Sequence, residues 1–235
     1  MPISDSSAFV GSAVVSERVS EARDRIAQAV VRGGHGQAVS IVAVTKTHGP
    51  EAVVAAFEAG ITDVGENRVQ EAEQKMAQVS VPVRWHLIGH LQRNKAKSAL
   101  GFSVVHGVDS QRLAEALDRA AQAAGVVLNV LVQVNVSGED SKSGFAPHEV
   151  PQFAERARAF SQLRVMGAMT MAPFDASEQT LRAVFAGTRA VREQLQQAGH
   201  SAPWLSMGMS GDYEVAVEEG ATHVRLGTVL FGHRA

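Results

Sequence analysis

The chain has 235 residues, 45% of them hydrophobic, with 22 basic against 24 acidic side chains and a net charge of -2. That length buries a sizeable core without covalent staples, and the near-neutral balance argues against a general nucleic-acid binder. Cysteine is absent, which removes disulfides, thiolate nucleophiles and thiolate metal sites together.

The first thirty or so residues predict a helix. Val15, Val19, Ala22, Ile26, Ala29 and Val30 recur at three- and four-residue steps, and Gly33-Gly34-His35-Gly36 ends the pattern. Strand and helix signals then alternate. Apolar runs at 40–46, 61–65, 83–89, 103–108, 126–136, 163–171, 203–207 and 222–227 predict strands. Stretches 50–59, 68–79, 110–124, 147–160, 178–198 and 212–219 predict helices, with a short one at 94–100. The strands are continuously apolar, as strands covered on both faces should be. Ala59-Gly60, Ala124-Gly125 and Ala198-Gly199 each close a helix ahead of the next strand.

About eight strand–helix units is the count of a (β/α)8 TIM barrel; an open doubly wound sheet shares these local signals and is the rival. No linker or low-complexity segment interrupts the rhythm. The expected organisation is a single domain over residues 1–235, with 1–36 an amino-terminal helix and linker packed on the barrel. No apolar run approaches the roughly 20 residues that span a bilayer. Residues 1–20 lack the basic start and apolar centre of a secretory signal. A soluble, cytoplasmic protein is expected.

In such barrels the functional groups gather at the carboxyl ends of the strands. Ile41-Val42-Ala43-Val44-Thr45-Lys46 delivers an amine there. A desolvated lysine suits Schiff-base formation; the plainer alternative is an ammonium reaching out to water. Lys75, Lys95, Lys97 and Lys142 lie in helical or loop stretches and do not compete for that role. Barrels often hold phosphate in the loops after strands seven and eight. Ser206-Met207-Gly208-Met209-Ser210-Gly211 and Gly227-Thr228 stand at those two places, and no Walker-type loop is present. Arg225 ends the last strand. An arginine, always cationic, donates to an unprotonated pyridine nitrogen and weakens the ring as an electron sink; the alternative is a pairing with a carboxylate such as Glu66.

His86 and His90 are four apart on a strand, too far to chelate easily, so His86 reads as a pocket wall or hydrogen-bonding support. His48 reads as a cap for the next helix. Met166, Met169 and Met171 read as core, while Met207 and Met209 could also line a ligand. Segment 92–97 is basic and reads as an exposed face or a clamp for an acidic or phosphorylated partner. If the sheet closes, first and last strands become neighbours and the amine sits beside the phosphate loops. A pyridoxal phosphate site needs that juxtaposition.

Lys46 with its preceding strand, Gly65-Glu66-Asn67-Arg68-Val69-Gln70-Glu71 and His86-Leu87-Ile88-Gly89-His90-Leu91-Gln92-Arg93-Asn94-Lys95 follow one another in a familiar order. Asn135-Val136-Ser137-Gly138-Glu139-Asp140-Ser141-Lys142-Ser143-Gly144, Gly167-Ala168-Met169-Thr170-Met171-Ala172-Pro173, Leu205-Ser206-Met207-Gly208-Met209-Ser210 and Arg225-Leu226-Gly227-Thr228-Val229-Leu230-Phe231-Gly232 complete the set. From about residue 39 onward the chain resembles the YggS/PROSC family, the pyridoxal phosphate homeostasis proteins. The resemblance implies a barrel of the alanine racemase N-domain type with an extra amino-terminal helix, and pyridoxal phosphate as an internal aldimine on Lys46. It implies phosphate contacts from Ser210, Gly227 and Thr228, Arg225 at the pyridine nitrogen, and Asn67, His86, Ser206 and Met207 lining the pocket.

Racemases of this fold use a second base, a tyrosine supplied with a separate β domain, which this chain is expected to lack. Tyr213, the single tyrosine, reads as packing beside the phosphate loop. The expected function is therefore to hold, buffer or deliver pyridoxal phosphate without robust catalysis. A pyridoxal phosphate-dependent amino-acid racemase or related enzyme is the alternative, and a lysine Schiff-base aldolase acting on sugar phosphates a third. Expected partners are pyridoxal phosphate and, transiently, apo-enzymes that use it. No nucleic acid, membrane or metal is expected, and the chain is expected to be a monomer.

Overall fold

Residues 10–139 and 143–232 are described by the computed structural model; Lys142 and residues 1–9 lie outside them. Strands β1 (Ser40–Val44), β2 (Asp63–Glu66), β3 (Arg84–Leu87), β4 (Val104–Val108), β5 (Leu128–Gln133), β6 (Leu163–Met169), β7 (Trp204–Met209) and β8 (His223–Leu226) follow one another in parallel around a closed barrel. The seam pairs β8 with β1, Val42 opposite Arg225 and Ala43 opposite Leu226. That pairing excludes the open-sheet rival. Helices α2 (Pro50–Glu58), α3 (Val69–Met76), α4 (Gln111–Ala124), α5 (Val150–Ala157), α6 (Glu178–Gln197), α7 (Tyr213–Glu218) and α8 (Thr228–Phe231) cover the outside. Among the described residues no helix is long and apolar enough to cross a membrane.

The extra helix α1 (Ser12–Gly33) buries Val15, Val19, Ala22, Ile26 and Ala29, the expected stripe, against α7, α2 and α8. Arginines tie it down at its exposed edge. Arg32 reaches Glu218 at 2.6 Å and Glu214 at 3.1 Å on α7; apart from α1, Arg182 pairs with Glu178 within α6 at 2.7 Å and with Glu219 past the end of α7 at 3.3 Å. Single exposed pairs contribute little, so the apolar stripe carries the attachment.

Two local expectations change. The helix read at 94–100 is two 3-10 turns, Arg93–Lys95 and Ser98–Gly101. The buried positions there are Ala96 and Ala99, three apart, which suits three residues per turn better than 3.6. The strands are also not apolar on both faces. Outward residues such as Leu205, Met207 and Leu226 join the main core with Leu117, Phe185 and Leu195. Inward residues include a small apolar cluster, Val104, Leu131 and Met169, the buried Val42, and a buried polar set: Asp63, His86, His106, Ser206, His223 and Arg225.

Gly167 marks the tightest point of the sheet. The β5–β6 register slips between Val130 and Leu131, leaving an extra residue on β6 as a bulge does. Gly167 takes φ +145°, and a Cβ there would lie 1.9 Å from the Trp204 carbonyl oxygen. Gly167→Ala should therefore lower the urea midpoint strongly, a loss of several kcal/mol by analogy with overpacking and strain combined (~3). Gly101→Ala, with no atom within 4 Å of the added carbon, should be close to neutral. Equal midpoints for the two variants would contradict this account.

Candidate functional site

The carboxyl end of β1 is built around its neighbours. Thr45 continues the ladder, its N–H donating to Gly65 O at 3.1 Å, and its hydroxyl donates to Glu66 Oε1 at 2.6 Å. Lys46 then emerges exposed, and among the described residues it makes no hydrogen bond or ion pair. His48 is not the cap of α2; Gly49 is, ahead of Pro50. The His48 ring packs against Phe231 with centroids 5.3 Å apart.

Across the seam, Gly227 sits on the end of β1, where an added Cβ would lie 3.4 Å from Val44 O. Gly227 leads into α8, whose first residue is Thr228. Ser210, in the loop after β7, accepts the Gly227 N–H at 3.3 Å and the Val229 N–H at 3.2 Å. Hydroxyls and backbone N–H groups of both loops thus converge. Gly208 permits this: at φ +93° its missing Cβ would come within 2.7 Å of Ala216 Cβ and 2.9 Å of Tyr213 Cα. Asn67 is half-buried after β2, and its carbonyl abuts Gly89, where a Cβ would approach to 2.3 Å.

Arg225 is 4% exposed. It donates to Ser206 Oγ at 2.7 Å and to Thr170 O at 2.8 Å, leaving further guanidinium donors. It does not pair with Glu66, which bonds Lys75 instead. Burial pushes its pKa down to about 10, so it stays cationic at neutral pH. Ser206 is therefore a buried support for Arg225. The Met207 side chain lies in the outer core, on the opposite face of β7 from Ser206.

His86 is buried inside the barrel and has both ring nitrogens engaged. Nε2 lies 2.9 Å from Asp63 Oδ1, and Nδ1 lies 2.9 Å from His106 Nε2. His106 Nδ1 in turn lies 2.9 Å from Ser206 Oγ. Arg84 holds Asp63 from the other side through two bonds of 2.6 Å. His90 is apart from this file, exposed and 3.1 Å from Asp109. Sequence reading missed His106 and the depth of Asp63. The signal was there: Asp63, His86 and His106 fall at inward positions of three successive strands.

The file has a direction. Arg225 only donates and the ionised Asp63 only accepts. Every member finds a partner if Ser206 O–H donates to His106 Nδ1, His106 Nε2–H to His86 Nδ1, and His86 Nε2–H to Asp63. Burial, then the charges on His86, Arg225 and His223, push the His106 pKa well below the usual range. Burial works against ionised Asp63, but the bonds from His86 and Arg84 hold its carboxyl well below the usual range.

The wider comparisons agree with this geometry. The family model described as alanine racemase, N-terminal domain, matches residues 22–235. The pyridoxal phosphate homeostasis protein of Pseudomonas aeruginosa is 42% identical over 223 residues, 94% of this chain and 96% of that one. That of Aquifex aeolicus is 39% identical over 222 residues, 93% and 97% of the two chains. The chain belongs to the YggS/PROSC family of pyridoxal phosphate homeostasis proteins. The structure of the family member PipY from Synechococcus elongatus with pyridoxal phosphate bound superimposes with a TM-score of 0.83 at 36% identity, covering 93% of this chain and all of PipY.

The family barrel carries a measurable charge signature here. Burial, followed by the charge on His86, depresses the His223 pKa from 6.5 to about 4. The unfolded chain therefore binds a proton that the folded chain refuses, so this stabilisation is complete above pH 6.5 and is lost as pH falls towards 4. At about 1.4 kcal/mol per pH unit, the difference in stability between wild type and His223→Asn should shrink by about 3 kcal/mol from pH 7 to pH 4. Urea titrations at the two pH values measure it, and a constant difference would refute it. Taking this difference cancels the opposite contribution of Glu66 and Asp212, whose pKa values burial raises. Nitrogen NMR of the imidazoles at neutral pH should show His106 as the Nε2–H tautomer; an Nδ1–H form of His106 would contradict the hydrogen-bond direction.

Proposed function

We propose that this chain holds pyridoxal phosphate at the carboxyl end of the barrel, the Lys46 amine joined to its aldehyde carbon. In this reading Arg225 donates to the ring nitrogen, Ser210, Gly227 and Thr228 take the phosphate, and Asn67 and His86 complete the walls or their support. The observation that carries it is the β1–β8 seam, which sets β1, ending two residues before Lys46, beside Arg225 and the strand that leads into Gly227. The donor set fits the cofactor: an exposed amine, a buried guanidinium with donors to spare, two hydroxyls and the backbone N–H groups of a small-residue loop.

When bound, the cofactor supplies an electrophilic carbon conjugated to an electron-accepting ring. Arg225 restrains that chemistry. A guanidinium that keeps its proton faces the ring nitrogen as a donor, so the nitrogen stays unprotonated and the ring a weak sink. Tyr213 offers no second base at the mouth. It is 3% exposed, its Cα lies against Gly208 and the Arg25 guanidinium stands 5.7 Å from its ring centroid, on the α1 side of the molecule. These features support holding and delivery over turnover. In this reading residues 1–235 form one domain acting as a cytoplasmic monomer, with apo-enzymes as recipients.

Purified protein incubated with pyridoxal phosphate should turn yellow, and borohydride should fix the cofactor on Lys46, as read by peptide mapping. Lys46→Ala should stay colourless. An adduct found on Lys75, Lys95 or Lys97, or none at all, would overturn the assignment.

A further inference from the structure

Lysine is rarely buried without partners, and the buried lysine among the described residues is Lys75, not Lys46. Its side chain on α3 is 6% exposed. Nζ donates to Thr45 O at 2.6 Å and Glu66 Oε1 at 2.6 Å, and lies 3.3 Å from Glu71 Oε1. Three acceptors therefore meet the three donors of one ammonium. Glu71 Oε1 also accepts the Thr47 N–H at 2.6 Å. The residues on both sides of Lys46 are thus tied to one charge, Thr45 directly and Thr47 through Glu71.

Thr47 shows why such a tie is needed. Its φ is +71°, the left-handed region that β-branched residues avoid. A residue stays there only where its surroundings over-determine it. The turn falls immediately after Lys46, so it governs the direction in which that amine leaves the strand. We propose that Lys75 is a positioning residue: with Glu66 and Glu71 it clamps Thr45 and Thr47, forces the left-handed turn, and so aims Lys46 into the barrel mouth. This rests on Lys46 being the cofactor anchor proposed above.

A purely structural ion pair would stabilise the fold and leave Lys46 indifferent. The two roles separate at position 47. Glycine reaches the left-handed region without a Cβ penalty, so Thr47→Gly makes the clamp dispensable for aiming Lys46; the strain that it relieves is accounted for by reference to the Thr47→Gly single variant.

The test uses pyridoxal phosphate as the probe and two variants, Glu71→Gln and the double variant Lys75→Met/Glu66→Gln, which strands no buried charge. Each, like the wild type, is made with and without Thr47→Gly. Cofactor retention is read from the visible absorbance of bound cofactor on dilution, and compared with the thermal midpoint and with amide exchange at Thr47 in protein stripped of cofactor. Both variants should hold the cofactor about tenfold more weakly, the loss expected for one charge-assisted hydrogen bond, with faster Thr47 exchange. Thr47→Gly should restore retention, while each clamp variant still melts below the Thr47→Gly single variant. Unchanged retention in Glu71→Gln, or a loss that Thr47→Gly does not recover, overturns the proposal. So does rapid Thr47 exchange in the stripped wild type. Should the double variant fail to fold, the Glu71→Gln pair and the wild-type exchange decide. If borohydride traps no cofactor on wild-type Lys46, the functional reading fails and this one with it, an outcome that slow Thr47 exchange distinguishes from the absence of a clamp.

Discussion

At the seam between β1 and β8, Val42 lies opposite Arg225, so the strand that ends near Lys46 runs beside the strand that ends at Gly227. Every other feature of the site takes its position from that pairing. The entropy of closing so long a loop grows only with the logarithm of its length, and the outer core of Phe185, Leu195, Leu205 and Leu226 outweighs it. The seam then leaves two short loops, after β7 and β8, to meet over the end of β1. Small residues there let backbone N–H groups gather without side chains in the way.

A buried arginine constrains the barrel interior in turn. Arg225 has lost its water, and among the described residues no carboxylate replaces it at contact distance. Its bonds go to Ser206 and Thr170 O, and Ser206 is itself held by His106. Each member of the file is satisfied only while its neighbours are present, since an orphaned buried polar group costs about 1–3 kcal/mol. The interior therefore gives up part of its apolar packing for orientation. The cluster of Val104, Leu131 and Met169, with Val42, is the apolar part of the filling.

Much of the architecture was legible because it depends on local pattern. The apolar runs, the Ala-Gly helix ends and the α1 stripe all follow from spacing along the chain, and the amine and phosphate loops stand at strand ends where barrel chemistry collects. What stayed hidden depends on which way a residue faces. Lys75 looked like any helical lysine, because nothing in its spacing says that its ammonium folds back under β1 to Thr45. His106 sits in the run Val104-Val105-His106-Gly107-Val108, whose apolar character concealed an inward polar position. Glu66 was a candidate partner for Arg225, but strand alternation turns it outward to α3 while Arg225 faces inward. The 3-10 turns at 93–101 were missed because composition favoured a helix and only the three-residue spacing of Ala96 and Ala99 opposed it.

The far end of the histidine file has its own consequence. Asp63 and Arg84 line a cavity of about 560 Å³ beneath α1, at the amino-terminal end of the barrel, and the Arg84 side chain is 62% exposed there. Solvent thus reaches one terminus of a continuous hydrogen-bonded chain that ends at Arg225. Water there meets the Arg84 guanidinium, while Asp63 is 5% exposed and the two imidazoles behind it 1% each. The two ends of the chain thus differ in kind: a screened, solvent-facing guanidinium at the rear and a desolvated one, Arg225, at the front.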